Sequence, residues 1–271
     1  LSRNRKRSPR GSRSAAWRAS LMQLEKNVRP KILAEKHFAD VRTAFMEYTE
    51  PSIATRMKEF DAEGFTDVVL VPIFLTVSPH PFDDIPTIIG QKNNPESREA
   101  MRLEKIERYT PKAKVVITPL LDFTDILEKN LIRRVKALSK DKSKEALVMI
   151  AYGDEKYENE WNKLFDNMGA SVRKNLGIQD YSHGWCGHLV HYNPSKTTEA
   201  IEKVAKKGKR ALVVPVLVAV DEMFQGKIIP QGVEKARKAG YDVVYKPDSI
   251  LPDKGLEDWV VKISRQYVQK L

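Results

Sequence analysis

The strongest constraint on this chain is that it is written twice. Glu50-Pro51-Ser52, the run Val68 to Pro72 and Ile85-Pro86 recur as Asn193-Pro194-Ser195, Ala211 to Pro215 and Ile229-Pro230, with a spacing of 21 between the paired prolines in both copies. Gly11 and Trp17 answer to Gly153 and Trp161, and Val115 to Pro119 answer to Val243 to Pro247. A self-match of this length means one supersecondary unit used twice, so a fold must satisfy both copies at once. The polar, lysine-rich stretch Ser139 to Lys144 is the expected boundary, giving an N-terminal half over residues 1–140 and a diverged repeat over residues 141–271.

Within each unit the hydrophobic period alternates between helix and strand. Pro51 suits a first helical position, Ile53, Met57 and Phe60 recur at helical spacing, and Gly64 stops the run. Val68 to Val77 follows as an apolar, β-branched run with no polar face, which predicts a central parallel strand covered on both sides. The second copy repeats this, with Asn193 as cap, Ile201, Val204 and Ala205 on the buried face, Gly208 as stop and Ala211 to Val220 as strand. Further helical stripes are Leu127/Leu131/Val135/Leu138, Trp161/Leu164/Phe165/Met168/Val172 and Leu256/Trp259/Ile263/Tyr267. Parallel strands need right-handed crossovers, so the expected fold is α/β, two similar doubly wound parallel-sheet halves with a cleft between them.

Composition narrows the function classes. One cysteine, Cys186, leaves no disulfide partner and no second thiolate for a zinc site. The longest nearly apolar run is about half of the ~20 residues that a membrane helix needs, so the chain is expected to be cytoplasmic with no membrane partner. Of the formal charge of +11, Arg3, Arg5, Lys6, Arg7, Arg10 and Arg13 supply six, leaving +5 for the rest. That opening block reads as a disordered or altered terminus ahead of a nucleic-acid tail, and nucleic acid is not the expected partner. The body's positive balance suits an anionic ligand.

Ligands of doubly wound sheets bind beyond the carboxyl ends of the strands. There Ser78-Pro79-His80-Pro81-Phe82-Asp83-Asp84-Ile85-Pro86 sets an imidazole and two carboxylates in a proline-stiffened loop. An imidazole can hold a borderline divalent metal or accept a proton near neutral pH, so His80 suits either task. Asp83 and Asp84 are read as caps of the helix starting near Ile85 rather than as partners of His80. His183, Cys186, His188 and His191 are read as separate, because 188 and 191 fall on opposite faces of an expected strand; His191, nearer its carboxyl end, is the outlier to keep.

Glu50-Pro51-Ser52-Ile53, Val68 to Leu75 and His80-x-x-x-Asp84-Ile85-Pro86, together with Gly11-Ser12-Arg13, resemble the sirohydrochlorin cobaltochelatase group of class II chelatases, the CbiX/SirB-like proteins. The resemblance spans the first half well and the second as a diverged copy. It implies insertion of a divalent metal, Co²⁺ first with Ni²⁺ or Fe²⁺ as alternatives, into a tetrapyrrole, with the metal as substrate and no permanently bound cofactor. It further implies that His80 is the second of two facing histidines, serving both as catalytic base and as metal ligand. Gly11, Ser12, Arg13 and Ser78 are the implied substrate-binding positions. Arginines and lysines would position the carboxylates on the macrocycle's rim, with Arg13 nearest.

The chain departs from that pattern at one place. Arg10 stands where the family's first histidine is expected, and a guanidinium stays protonated, so it neither binds a cation nor accepts a pyrrole proton. Residues 3–10 also make a poor buried strand, whereas Ala146 to Ala151 make a good one. In the second half Tyr152 takes the first-histidine place, and Glu222, Met223 and Phe224 fall near the place matching His80. That half is therefore read as a structural and substrate-covering partner.

Overall fold

A computed structural model describes residues 15–46, 49–121, 124–206 and 208–270. The basic opening block, with Arg10, Gly11, Ser12 and Arg13, lies outside the described residues. The first half runs α1 (Ala15–Leu33), α2 (Ile53–Ala62), β1 (Asp67–Leu70), α3 (Ile85–Ile88), α4 (Pro95–Glu104), β2 (Lys114–Ile117) and α5 (Ile126–Leu138). The second runs β3 (Glu145–Ala151), α6 (Glu158–Leu176), β4 (Asp180–Trp185), α7 (Ser195–Ala205), β5 (Arg210–Val216), α8 (Ile229–Lys238), β6 (Val243–Tyr245) and α9 (Lys254–Val268). Each element falls at or beside a hydrophobic stripe of the sequence. Among the described residues no helix is long and apolar enough to cross a membrane.

The duplication is visible in the register of the ladders. β1 pairs with β2 in parallel, Val68 opposite Val115, and β5 pairs with β6 in parallel, Ala211 opposite Val243. The self-match equates Val68 with Ala211 and Val115 with Val243, so equivalent residues meet equivalent partners. The second half forms a four-stranded sheet in the order β4-β3-β5-β6. In it β3 is wholly buried: Leu147, Met149 and Ala151 face α5, α6 and α9, while Ala146, Val148 and Ile150 face α7 and α8. A strand covered on both faces shows no polar side, which is why its sequence is continuously apolar.

The first half departs from its expected strand. The ladder covers only Asp67–Leu70 of the run to Val77, and β1 has a single partner, β2, among the described residues. β5 is buried along nearly its whole length, but β1 is exposed at Asp67 and half-buried after it. β5 rests against β3, whereas the repeat assigns the matching position beside β1 to residues 3–9, outside the described residues. Val68 to Val71 and Ala39 to Phe45 line a cleft of about 3180 Å³.

The halves share a core. α1 packs against α9 and α5 against α6, and Leu24, Val28 and Ile32 of α1 join Leu127, Leu131 and Val135 of α5 and Phe165 of α6 in one apolar cluster. A smaller cluster of Ile53, Met57, Ile85, Ile88 and Met101 backs the other face of the first sheet. Caps differ slightly from expectation. Pro51 precedes the first turn of α2 and Ser52 caps it, its Oγ accepting from the Thr55 N–H at 3.2 Å. Asn193 supports the start of α7 by accepting from the Ser195 N–H at 2.9 Å.

Close approach of α7 and α8 rests on Gly232, where a Cβ would lie 2.4 Å from the Pro194 carbonyl oxygen. Gly232→Ala would gain up to about 1 kcal/mol in helix propensity. It would also force two packed helices apart, at about 1–3 kcal/mol. Net destabilisation is expected as a lower urea midpoint; a raised midpoint would refute the close-packing account.

Candidate functional site at the strand ends

Beyond β1 the chain runs without a ladder to Ser78, which is only 7% exposed and sits in the cleft wall. Pro79 leads into one π-helical turn, His80–Asp84, that continues directly into α3. Such turns recur at functional positions because they re-aim a side chain. Spacing of four on the turn brings His80 and Asp84 together, with His80 Nδ1 at 2.8 Å from Asp84 Oδ2. A carboxylate at Nδ1 holds the ring proton there, so the lone pair sits on Nε2, the nitrogen able to take a metal ion or a pyrrole proton. The Phe74 ring lies 6.0 Å from the imidazole, and His80 and Asp84 both line the cleft.

This corrects the capping role expected of the two aspartates. Asp84 stands at the start of α3 but makes no side-chain capping bond; it orients His80 instead. Asp83 accepts from Lys92 Nζ at 3.4 Å and from Lys156 Nζ at 3.2 Å, the second contact reaching from the loop after β3. The carboxylate beside it raises the Lys156 pKa above its ordinary value. Tyr157 of the same loop lies 6.5 Å from Phe82. The ends of β1 and β3 therefore face each other, a contact that no single-strand pattern reveals. The spacing of four sets His80 and Asp84 side by side on the turn, and here it outweighs the general preference of aspartate for helix starts.

The histidines of the second half disperse, as expected, but for another reason. His188 and His191 lie on a short 3₁₀ turn and its cap, not on a strand. His183 on β4 bonds Asn162 Oδ1 through Nε2 at 2.8 Å, and burial lowers its pKa. Cys186 is fully buried, and the same desolvation pushes its thiol pKa up, so it holds no thiolate for a metal. Among the described residues no three metal-binding side chains converge.

Charge at the mouth also differs from expectation. Lys156 and Lys227 line it, but Asp83, Asp84, Asp154, Glu155, Asp221 and Glu222 do so as well. An acidic mouth concentrates divalent cations and does not by itself attract a polycarboxylate. Among the described residues, Arg42, Arg56, Lys105, Lys156 and Lys227 line the cleft as cationic carriers for a carboxylated rim.

Asp84→Asn tests the orienting bond. The amide keeps the shape and loses the charge, so the metal insertion that the resemblance implies is expected to fall about 10–100-fold with the fold intact. An unchanged rate constant would return Asp84 to a purely structural role.

The chain is similar in sequence and in fold to known proteins. Residues 9–138 match the family model CbiX. The sirohydrochlorin cobaltochelatase of Methanococcoides burtonii is 38% identical over 68 residues, 25% of this chain and 50% of that protein. That of Saccharolobus solfataricus is 27% identical over 101 residues, 37% of this chain and 72% of that protein. The chain thus spans about half the length of the first curated relative it matches. SirB from Bacillus subtilis with Fe³⁺ superposes with a TM-score of 0.66 at 16% identity, covering 95% of this chain and 92% of that one. A CbiX structure described as the terminal enzyme for biosynthesis of siroheme in denitrifying bacteria has a TM-score of 0.58 at 12% identity, covering 94% and 95%. Structural matches at identities this low carry the fold alone. Residues 9–138 of this chain are thus similar to the CbiX family, and the chain as a whole takes the fold of the SirB and CbiX proteins.

Proposed function

We propose that this chain is a sirohydrochlorin chelatase that inserts a divalent metal, cobalt foremost with nickel or iron as alternatives, into the tetrapyrrole during cobalamin- or siroheme-type biosynthesis in the cytosol. The observation that carries the reading is the His80–Asp84 pair, 2.8 Å apart, in the wall of a cleft of about 3180 Å³. Insertion requires that two pyrrole N–H protons leave while the ion sheds water, without ATP. A carboxylate-oriented imidazole serves as the proton acceptor and as a ligand that releases the ion readily. The acidic mouth draws the cation in, which supports metal delivery from this side. Gly11, Ser12, Arg13 and Ser78 are assigned to substrate binding on the family pattern, and the chain is taken to divide near residue 140 into a site-bearing half and a covering half.

A second reading rests on Arg10, which occupies the place of the family's other histidine. On this reading the chain binds a tetrapyrrole or metal without metallating it. Absorbance-monitored cobalt insertion by the full chain separates the two: turnover is expected, and macrocycle binding without metallation would support the second. Arg10→His restores a basic imidazole and is expected to raise the insertion rate by at least about tenfold, within the range of one added general base; no gain would remove that position from the chemistry.

A further inference from the structure

The halves carry different chemistry at equivalent positions. His80 opens the π turn before Ile85-Pro86, and Phe224 opens the matching π turn before Ile229-Pro230. Tyr152, just after β3, stands where the repeat sets Arg10. In place of a metal-binding imidazole the second half therefore offers rings. Tyr152 meets Phe224 edge to face at 5.4 Å and His188 at 4.9 Å. Tyr192 stacks against Phe224 at 6.2 Å and meets His188 edge-on at 6.0 Å. The four rings close a circuit, each touching two others, and the Tyr152 hydroxyl lies 2.8 Å from His188 Nε2.

The backbone beneath the circuit is built to hold it. His191 and Tyr192 take φ values of 50° and 59°, consecutive left-handed residues that are not glycine. Such conformations persist only where surrounding contacts enforce them, and they cluster at ligand sites. A Cβ at Gly187 would lie 2.5 Å from the Tyr152 carbonyl oxygen, so the His188 turn needs that glycine to sit against Tyr152. All four rings line the same cleft as His80, and His188 is exposed there.

We propose that this ring circuit is a stacking face for the planar conjugated macrocycle, on the second-half wall of the cleft; the inference rests on the chelatase reading and names the residues that hold the substrate. Aromatic faces and edges attract a conjugated plane and leave its carboxylated rim to other groups. A wall that grips the plane and carries no set of converging metal ligands among the described residues leaves the ion to approach from the His80 side. Tyr152 acts as a positioning residue, its hydroxyl fixing the tilt of the His188 ring.

The test is titration of sirohydrochlorin, without metal, into the full chain, read by quenching of tryptophan fluorescence and by the shift of the macrocycle's visible band. Phe224→Ala and Tyr192→Ala are each expected to weaken binding about tenfold, and Phe224→Tyr, which keeps the ring, to stay within about twofold of the parent. His188→Ala alters an exposed side chain, so it tests the face even if the other variants fail to fold; a several-fold loss is expected. Calorimetric binding of Co²⁺ alone should be unchanged in all four. Parental affinity for the macrocycle in every folded alanine variant would overturn the stacking face and leave the chelatase reading standing. A parent chain that does not bind sirohydrochlorin would overturn both.

Discussion

His80→Ala is expected to reduce cobalt insertion by about 10²–10⁴-fold, the range for removing a positioned proton acceptor. Because this residue would also be the metal ligand, the loss should exceed that of Asp84→Asn, which leaves the imidazole in place. The side chain is 25% exposed and lines the cleft, so the fold should survive. Insertion followed by absorbance, beside circular dichroism for folding, checks both points. An alanine variant that metallates at the parental rate would remove His80 from the mechanism and with it the proposed function.

Phe165→Ala should be the most damaging single truncation in the shared core, at about 3–5 kcal/mol. Phe165 is completely buried on α6, stacked on Trp161 at 6.2 Å and meeting Trp185 edge-on at 5.4 Å. Both tryptophans are themselves buried, so little can collapse into the space left behind. Against a typical domain stability of about 5–15 kcal/mol this is a large fraction, readable as a fall in the urea midpoint. Leu103→Ala, at a leucine 57% exposed, serves as the control and should move stability by no more than about 0.5 kcal/mol. A Phe165→Ala midpoint equal to that of the control would contradict the view that α6 anchors both halves.

Much of the fold was legible because the chain supplies two readings of the same unit. A helix from Ile53, a buried strand through Ala146 to Ala151 and the stripe Trp161 to Val172 all follow from period and punctuation, and the structure contains each of them. Of the run Val68 to Val77 only Val68 to Leu70 lie in a ladder among the described residues, since composition reports that a segment suits burial and not how far its hydrogen bonding extends. His188 and His191 misled for a related reason: a turn after β4 replaced the assumed strand, and face alternation applies only where a strand exists.

At the site, His80 could be singled out from its place after an apolar run, whereas the role of Asp84 could not. Both capping and orienting are consistent with an aspartate before Ile85, and the 2.8 Å contact decides between them. Lys156 and the ring circuit were beyond sequence reasoning altogether, since Asp83 and Lys156 are 73 residues apart. Local order, repeat and period were thus set by neighbours along the chain, whose interactions depend on spacing alone. The acidic mouth, the facing loops and the orientation of the imidazole depend on which strand ends meet in space, and only burial of the shared core brings those ends together.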